Sequence, residues 1–164
     1  VDVGQSRIEA DLVDTAARIV DAAAAKGVAF YLPVDAVVAE KIDATAPARV
    51  VSVTQVSGPW MILDIGPATA RLYGEKLAAA RTIVWNGPMG VFEMAPFAQG
   101  TLALAHSVAA SQALTIVGGG DTDAAVHQAG VADKVSFVST GGGAFLELLE
   151  GKVLPGVAAL QAAQ

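Results

Sequence analysis

The sequence predicts an α/β fold, a three-layer αβα Rossmann-like parallel sheet, and three observations carry that expectation. Three short β-branched runs each end in a glycine-rich turn. Thr82-Ile83-Val84-Trp85 leads into Asn86-Gly87-Pro88-Met89-Gly90, Leu114-Thr115-Ile116-Val117 into Gly118-Gly119-Gly120-Asp121-Thr122, and Val135-Ser136-Phe137-Val138 into Ser139-Thr140-Gly141-Gly142-Gly143. Strand-like and helix-like segments alternate along the whole chain. The strand-like runs are continuously apolar, as in a parallel sheet covered on both faces, rather than alternating.

The elements follow in order. A capping-box pattern, Ser6-x-x-Glu9, predicts a helix start. Leu12, Val13, Ala16, Ile19, Val20 and Ala23 give that helix an apolar stripe near the 3.6-residue period, and Gly27 stops it. Val28 to Leu32 reads as a short strand stopped by Pro33, and Val50 to Val53 as a peripheral strand with polar flanks. Trp60 to Ile65 reads as a buried strand, after which Gly66-Pro67 opens a helix bearing Ala70, Leu72, Tyr73 and Leu77. Residues from about Ala95 to Ala110 are expected to be helical, with Phe97, Leu102 and Leu104 facing the core. Two further helices are expected, Thr122 to Gln128 ended by Gly130 and Gly143 to Glu150 ended by Gly151. The tail Lys152 to Gln164 reads as a strap with a short terminal helix.

Bulk properties exclude several functions. At 164 residues the chain is about one domain, long enough to bury a core. Its net charge of −6 comes without a basic cluster, which argues against nucleic acid as a partner. The apolar fraction is 54%, yet no run approaches the roughly 18 to 20 apolar residues of a membrane span. Leu102 to Val117 comes nearest and is broken by His106, Ser107, Ser111 and Gln112. Cysteine is absent, so thiolate chemistry is excluded, and a cytoplasmic setting is expected.

The glycine turns point to an anion. A turn that opens a helix offers unpaired N–H groups and the positive end of the helix dipole, a setting for phosphate. No lysine or arginine lies in the three turns, so either a metal ion and backbone dipoles neutralise the ligand or the cations come from elsewhere. The usual fingerprints fail. Gly151-Lys152 is followed by Val153, against a Walker A loop, and Asp123 stands where a dinucleotide loop needs its third glycine. His106 and His127 lie on expected helices and suit surface or capping roles. Asp121 could cap the helix that follows or act as a hard oxygen ligand for Mg²⁺, with the N–H and hydroxyl of Thr122 beside a phosphate. Glu93 is either a surface carboxylate or an acceptor for ribose hydroxyls. Trp60, Met61, Leu63 and Trp85 read as core residues, some of them able to line an adenine slot.

In order and wording, these blocks resemble the C-terminal, nucleotide-binding part of the phosphoglycerate kinase family. The resemblance rests on Leu32-Pro33-Val34-Asp35, Leu63-Asp64-Ile65-Gly66-Pro67-Ala68-Thr69, Thr82 through Glu93, Ile116 through Thr122, and Ser139 through Leu154. TIVWNGPMGVFE and STGGGAFLELLEGKVLPGVAAL are its most specific stretches, and it runs from near residue 4 to about residue 160. It implies phosphoryl transfer between 1,3-bisphosphoglycerate and ADP, giving 3-phosphoglycerate and ATP with Mg²⁺, in a monomeric parent enzyme. It further implies that Asn86 contacts the nucleotide phosphates, Pro88 and Val91 flank the base, Leu63 faces the adenine and Glu93 holds the ribose. Gly119 and Gly120 would offer N–H groups, Asp121 would hold the metal and Thr122 would touch phosphate. Gly142 and Gly143, with Gly120, would aim N–H groups at the transferring phosphoryl.

Set beside that family, residues 1–164 read as a partial nucleotide-binding domain, its sheet truncated at the N-terminal end. The domain that binds phosphoglycerate and a Gly-Gly-Ala-Lys turn whose lysine binds phosphates have no counterpart here. The sequence therefore leads to a kinase piece that is inactive alone. Two alternatives remain: a non-catalytic Mg-nucleotide-binding fragment, and a structural fragment that binds nothing.

Overall fold

A computed structural model describes residues 2–139 and 141–162. The chain divides into two compact units, one formed by the chain up to Tyr73 with Gly90–Gly100, the other by Gly74–Met89 with the chain from Thr101 onward.

The first unit is built on an antiparallel sheet. Strands β1 (Asp35–Ala39), β2 (Arg49–Ser52) and β3 (Met61–Ile65) lie in the order β2-β1-β3, both pairings antiparallel. The α/β class holds, but the expected single parallel sheet does not extend to these strands. Successive side chains of β1 alternate between two cores. Ala36 and Val38 pack with Val56, Val51, Val53 and Trp60, while Ala39 packs with Leu63, Phe97, Met61 and Val91. Cover on both faces explains why Ala36–Ala39 is an unbroken apolar run.

Two expectations fail at the start of the chain. Val28 to Leu32 is not a strand; the strand begins after Pro33, at Asp35. Val28, Phe30 and Leu32 are exposed, whereas Val38 and Ala39 are fully buried between partners. Both runs have strand composition, and hydrogen-bonded neighbours decide between them. The capping box fails as well. Ser6 donates its hydroxyl to the Val3 carbonyl and accepts the Ile62 N–H at 2.9 Å, tying the chain to β3 rather than opening a helix. Helix α1 (Val13–Ala25) begins later, after a 3-10 turn at Ala10–Leu12, and buries no residue. Its stop is as read: Val28 N–H bonds the Ala23 carbonyl and Gly27 N–H the Ala24 carbonyl, the Schellman arrangement.

Helix α2 (Pro67–Ala78) starts where Gly66-Pro67 indicated. Asp35 closes its N-terminus across space. The carboxylate accepts the N–H groups of Ala68 at 2.9 Å and Thr69 at 2.7 Å, together with the Thr69 hydroxyl. Burial opposes ionisation of Asp35, but the Thr69 hydroxyl and these N–H donors outweigh it and hold the carboxyl below its ordinary range.

The second unit carries the parallel sheet. Strands β4 (Thr82–Asn86), β5 (Leu114–Gly118) and β6 (Phe137–Ser139) pair in parallel in the order β4-β5-β6. Helix α3 (Gln99–Ala110) connects β4 to β5, and α4 (Gly120–Gln128) connects β5 to β6. Helices α5 (Gly142–Leu149) and α6 (Pro155–Ala162) follow. Ile83, Trp85, Leu104, Val108, Val117, Val126 and Val131 are buried here. Leu102, expected in the core, is only half-buried. Trp85 keeps its ring in the core while its indole N–H donates to the Gly87 carbonyl at 2.8 Å. Gly130 and Gly151 end α4 and α5 as read. Among the described residues no buried side-chain polar atom lacks a partner, and no helix is long and apolar enough to cross a membrane.

Candidate functional site

The register levels the carboxyl ends of the three parallel strands. Asn86 pairs with Gly118, and Gly118 pairs with Ser139. Each strand then enters one of the three glycine turns, so those turns lie along one rim, the end of a parallel sheet where ligands bind. Of the expected corner at 86–93, residues up to Met89 belong to this unit. Thr140, within the third corner, lies outside the described residues.

Contacts lock the corners together. Gly87 N–H donates to Thr122 Oγ1 at 2.8 Å, and Gly119 N–H donates to the Ser139 carbonyl at 3.1 Å. Backbones meet so closely that a Cβ on Gly142 would stand 2.9 Å from Gly119 Cα. A Cβ on Gly118 would meet Phe145 at 2.9 Å and Asn86 Oδ1 at 3.0 Å. The Asn86 side chain therefore lies over the glycine corner after β5. Thr122 is buried and spends its hydroxyl oxygen on Gly87 rather than projecting to solvent.

Helix α4 starts at Gly120, two residues before the expected Thr122. Gly119 takes the N-cap position with φ +90°, a conformation that glycine adopts without penalty. Asp121 then sits in the first turn and not at the cap, so of its two readings the capping one loses its geometry. It is exposed, with its carboxylate beside the start of the helix. The N–H groups of Gly120, Asp121 and Thr122 have no carbonyl of α4 to pair with, and those of Gly142, Gly143 and Ala144 stand in the same position on α5. Two helix N-termini thus open on one rim, and their dipoles favour negative charge there. Among the described residues no three metal-ligating side chains cluster. The first turn of α4 also carries Asp123, which pairs with His127, so Asp121 is the carboxylate left beside the N–H donors. One carboxylate there fits Mg²⁺ that arrives on a nucleotide, since Mg²⁺ takes one or two carboxylates and fills its remaining positions with phosphate oxygens and water.

Leu63, Val91 and Glu93 belong to the first unit. Val91 N–H donates to the Leu63 carbonyl at 2.9 Å, and both side chains join the cluster around Phe97. Leu63 is buried in that cluster, Val91 half-buried and Glu93 exposed. His106 and His127 stand exposed on α3 and α4; His127 pairs with Asp123 at 3.1 Å.

Sequence reasoning gave no role to Asp64, which is 1% exposed and next to last in β3. A charged residue inside the apolar run Met61–Ile65 was the available signal. Its Oδ2 accepts the Gly100 N–H at 2.7 Å, in the first turn of α3, and its Oδ1 accepts the Ile65 N–H at 2.8 Å. Burial pushes its pKa up to about 6 against these donors.

Known proteins match this arrangement. A model of the phosphoglycerate kinase family covers residues 1–152. The chain belongs to the phosphoglycerate kinase family. The phosphoglycerate kinase of Desulfosudis oleivorans is 60% identical over 161 residues, which cover 98% of this chain and 41% of the relative. That of Pelobacter propionicus is 59% identical over 158 residues, 96% of this chain and 40% of the relative. The solved phosphoglycerate kinase from Coxiella burnetii superimposes with a TM-score of 0.90 at 48% identity, over 93% of this chain and 40% of its own. The enzyme from Pyrococcus horikoshii superimposes with a TM-score of 0.72 at 34% identity. The chain spans about two-fifths of the length of the curated relatives it matches. These matches carry the family and the fold, and not the C-terminal placement that the motifs suggested.

Proposed function

We propose that this chain is the nucleotide-binding part of a glycolytic phosphotransferase that moves a phosphoryl group between 1,3-bisphosphoglycerate and ADP, giving 3-phosphoglycerate and ATP. The observation that carries the proposal is the pair of helix N-termini, α4 and α5, opening beside Asn86 on one rim of the parallel sheet. Phosphoryl transfer demands little covalent chemistry and much positioning of charge, and preorganised N–H donors suit charge spread over the equatorial oxygens.

The N–H groups of Gly120, Gly142 and Gly143 bind the transferring group and that of Thr122 borders the phosphate chain; the Gly119 N–H, expected to serve there too, is instead spent on the Ser139 carbonyl. Asn86 donates its side-chain amide to a phosphate oxygen. Asp121 supplies an oxygen ligand to the Mg²⁺ of the magnesium–nucleotide substrate. Leu63, Pro88 and Val91 serve the base, and Glu93 accepts from the ribose hydroxyls. The absence of lysine and arginine from the three turns supports a division of labour. On this reading the phosphoglycerate and the cations that steady it belong to the remainder of the longer family chain, acting as a monomer in the cytoplasm.

Calorimetry with MgADP on the wild type and Asp121→Ala tests the binding half. The wild type binds, and the variant binds about tenfold more weakly; equal heats remove Asp121 from the site. A coupled assay of ATP formation tests the other half, with no turnover expected from residues 1–164 alone. Turnover by this stretch alone would overturn the division of labour.

A further inference from the structure

The segment Gly90–Gly100 leaves the second unit, joins the first, and carries Val91 and Glu93. Both of its ends rest on β3, and the exit is hydrogen-bonded to a buried carboxylate. At the entrance, Gly90 lies so close to β3 that a Cβ there would stand 2.5 Å from the Leu63 carbonyl oxygen, 2.7 Å from Asp64 Oδ1 and 2.8 Å from Asp64 Cα. At the exit, Gly100 donates its N–H to Asp64 Oδ2 at 2.7 Å, and a Cβ there would collide with Asp64 Oδ1. Between the ends, Val91 N–H continues the contact with β3 by bonding the Leu63 carbonyl at 2.9 Å. Such close approach at both ends admits only glycine: the β3 backbone of Leu63 and Asp64 fills the space beside Gly90, and the Asp64 carboxylate with the Ile65 side chain fills it beside Gly100.

Asp64 is also expensive to keep. Its burial favours the neutral form, against which only two backbone N–H groups act. An apolar residue at this place in β3 would avoid that cost while leaving Gly100 N–H unpaired. What the carboxylate provides in return is a fixed base for a loop of eleven residues that begins and ends in glycine.

We propose that Asp64 is a positioning residue that anchors the exit of the Gly90–Gly100 loop, whose entrance is held on β3 by the Leu63 carbonyl, and thereby fixes Val91 and Glu93 for the base and ribose of the nucleotide. This rests on the nucleotide-binding reading above. It assigns a job to a residue that touches neither the nucleotide nor the metal. The phosphate chain is bound by other residues, those of the glycine corners, so loosening the anchor weakens the nucleoside half of the ligand and spares the phosphate half.

Two variants attack the anchor from opposite sides. Asp64→Asn places an amide donor against one of the two N–H groups, and Gly100→Ala forces a methyl group against the carboxylate. Amide hydrogen exchange on the unliganded proteins reads the anchor without any ligand. Protection is lost across residues 90–100 in both variants and retained in β4 and β5; unchanged protection at 90–100 in either variant overturns the proposal, as does loss spread evenly over the chain. Calorimetry with MgADP and with magnesium tripolyphosphate reads the consequence. MgADP affinity falls about tenfold while tripolyphosphate affinity changes less than about twofold, and equal losses for both ligands overturn it. A wild type that binds neither ligand sinks the nucleotide reading instead, and hydrogen exchange still decides the anchor.

Discussion

Four helices of this molecule, α2 to α5, begin in two ways. At the starts of α2 and α3, both in the first unit, a buried aspartate from a neighbouring strand receives the helix N–H groups: Asp35 takes those of Ala68 and Thr69, and Asp64 takes that of Gly100. The starts of α4 and α5, in the second unit, are glycines with no side chain to offer. Helix N-termini carry partial positive charge and unpaired donors in every case. Where a protein carboxylate fills that place, the helix start is finished as structure. Where glycine leaves it bare, the donors remain for a ligand, and the two bare starts are the ones that share a rim.

The contrast breaks most visibly at Asp35. Asp35→Ala leaves the Ala68 and Thr69 donors at a buried helix start, at an expected cost of about 3 kcal/mol. Urea unfolding checks this, and a loss below about 1 kcal/mol would mean that water replaces the carboxylate. The two caps also answer oppositely to pH. The Asp64 carboxyl titrates near 6 when folded and near 3.8 when unfolded, so the folded state holds its proton more tightly between those values. Stability then rises as pH falls from about 6 towards 4, by up to about 3 kcal/mol from this group. Asp35, held below its ordinary range, contributes stability above pH 3.8 that is lost as pH falls through its folded value. Unfolding followed from pH 7 to 3 in wild type and Asp64→Asn separates them, with the gain between 6 and 4 missing from the variant.

Substitutions at the bare starts act on ligand more than on fold. Gly142→Ala drives a methyl group against Gly119 Cα, spreading the α4 and α5 corners and lowering MgADP affinity about tenfold or more. Its thermal unfolding also shifts, since the contact is backbone to backbone. Asp121→Ala is the mildest for stability, expected within about 0.5 kcal/mol of wild type because the side chain is exposed. An Asp121→Ala protein that melts much earlier would recast Asp121 as a structural group like Asp35.

How far the sequence revealed this depends on what each signal needed. The glycine stops at Gly27, Gly130 and Gly151 were legible because a helix ending in positive φ is a local requirement. The rim of glycine corners was legible too, since each is a strand, a turn and a helix start in sequence order. Strand β1 was missed because Val28–Leu32 has equal strand composition, and only partner strands distinguish the two runs. Ser6 misled through its match to a capping box, its hydroxyl being committed to Val3 and Ile62, which no local pattern reveals. Asp35 and Asp64 cap helices that start 32 and 35 residues further along, so their roles appear only once the chain is folded. The stripe of Val13, Ile19 and Val20 was read correctly as one face of a helix, and the structure leaves that face exposed.

The most direct test follows backbone amides while magnesium tripolyphosphate or MgADP is titrated into the protein. The amide resonances of Gly120, Asp121, Thr122, Gly142 and Gly143 shift together and saturate at one ligand concentration, while those of Ala68 and Thr69, already bonded to Asp35, stay in place. Shifts confined to one of the two bare helix starts, or absent from both, would contradict a shared phosphate cradle.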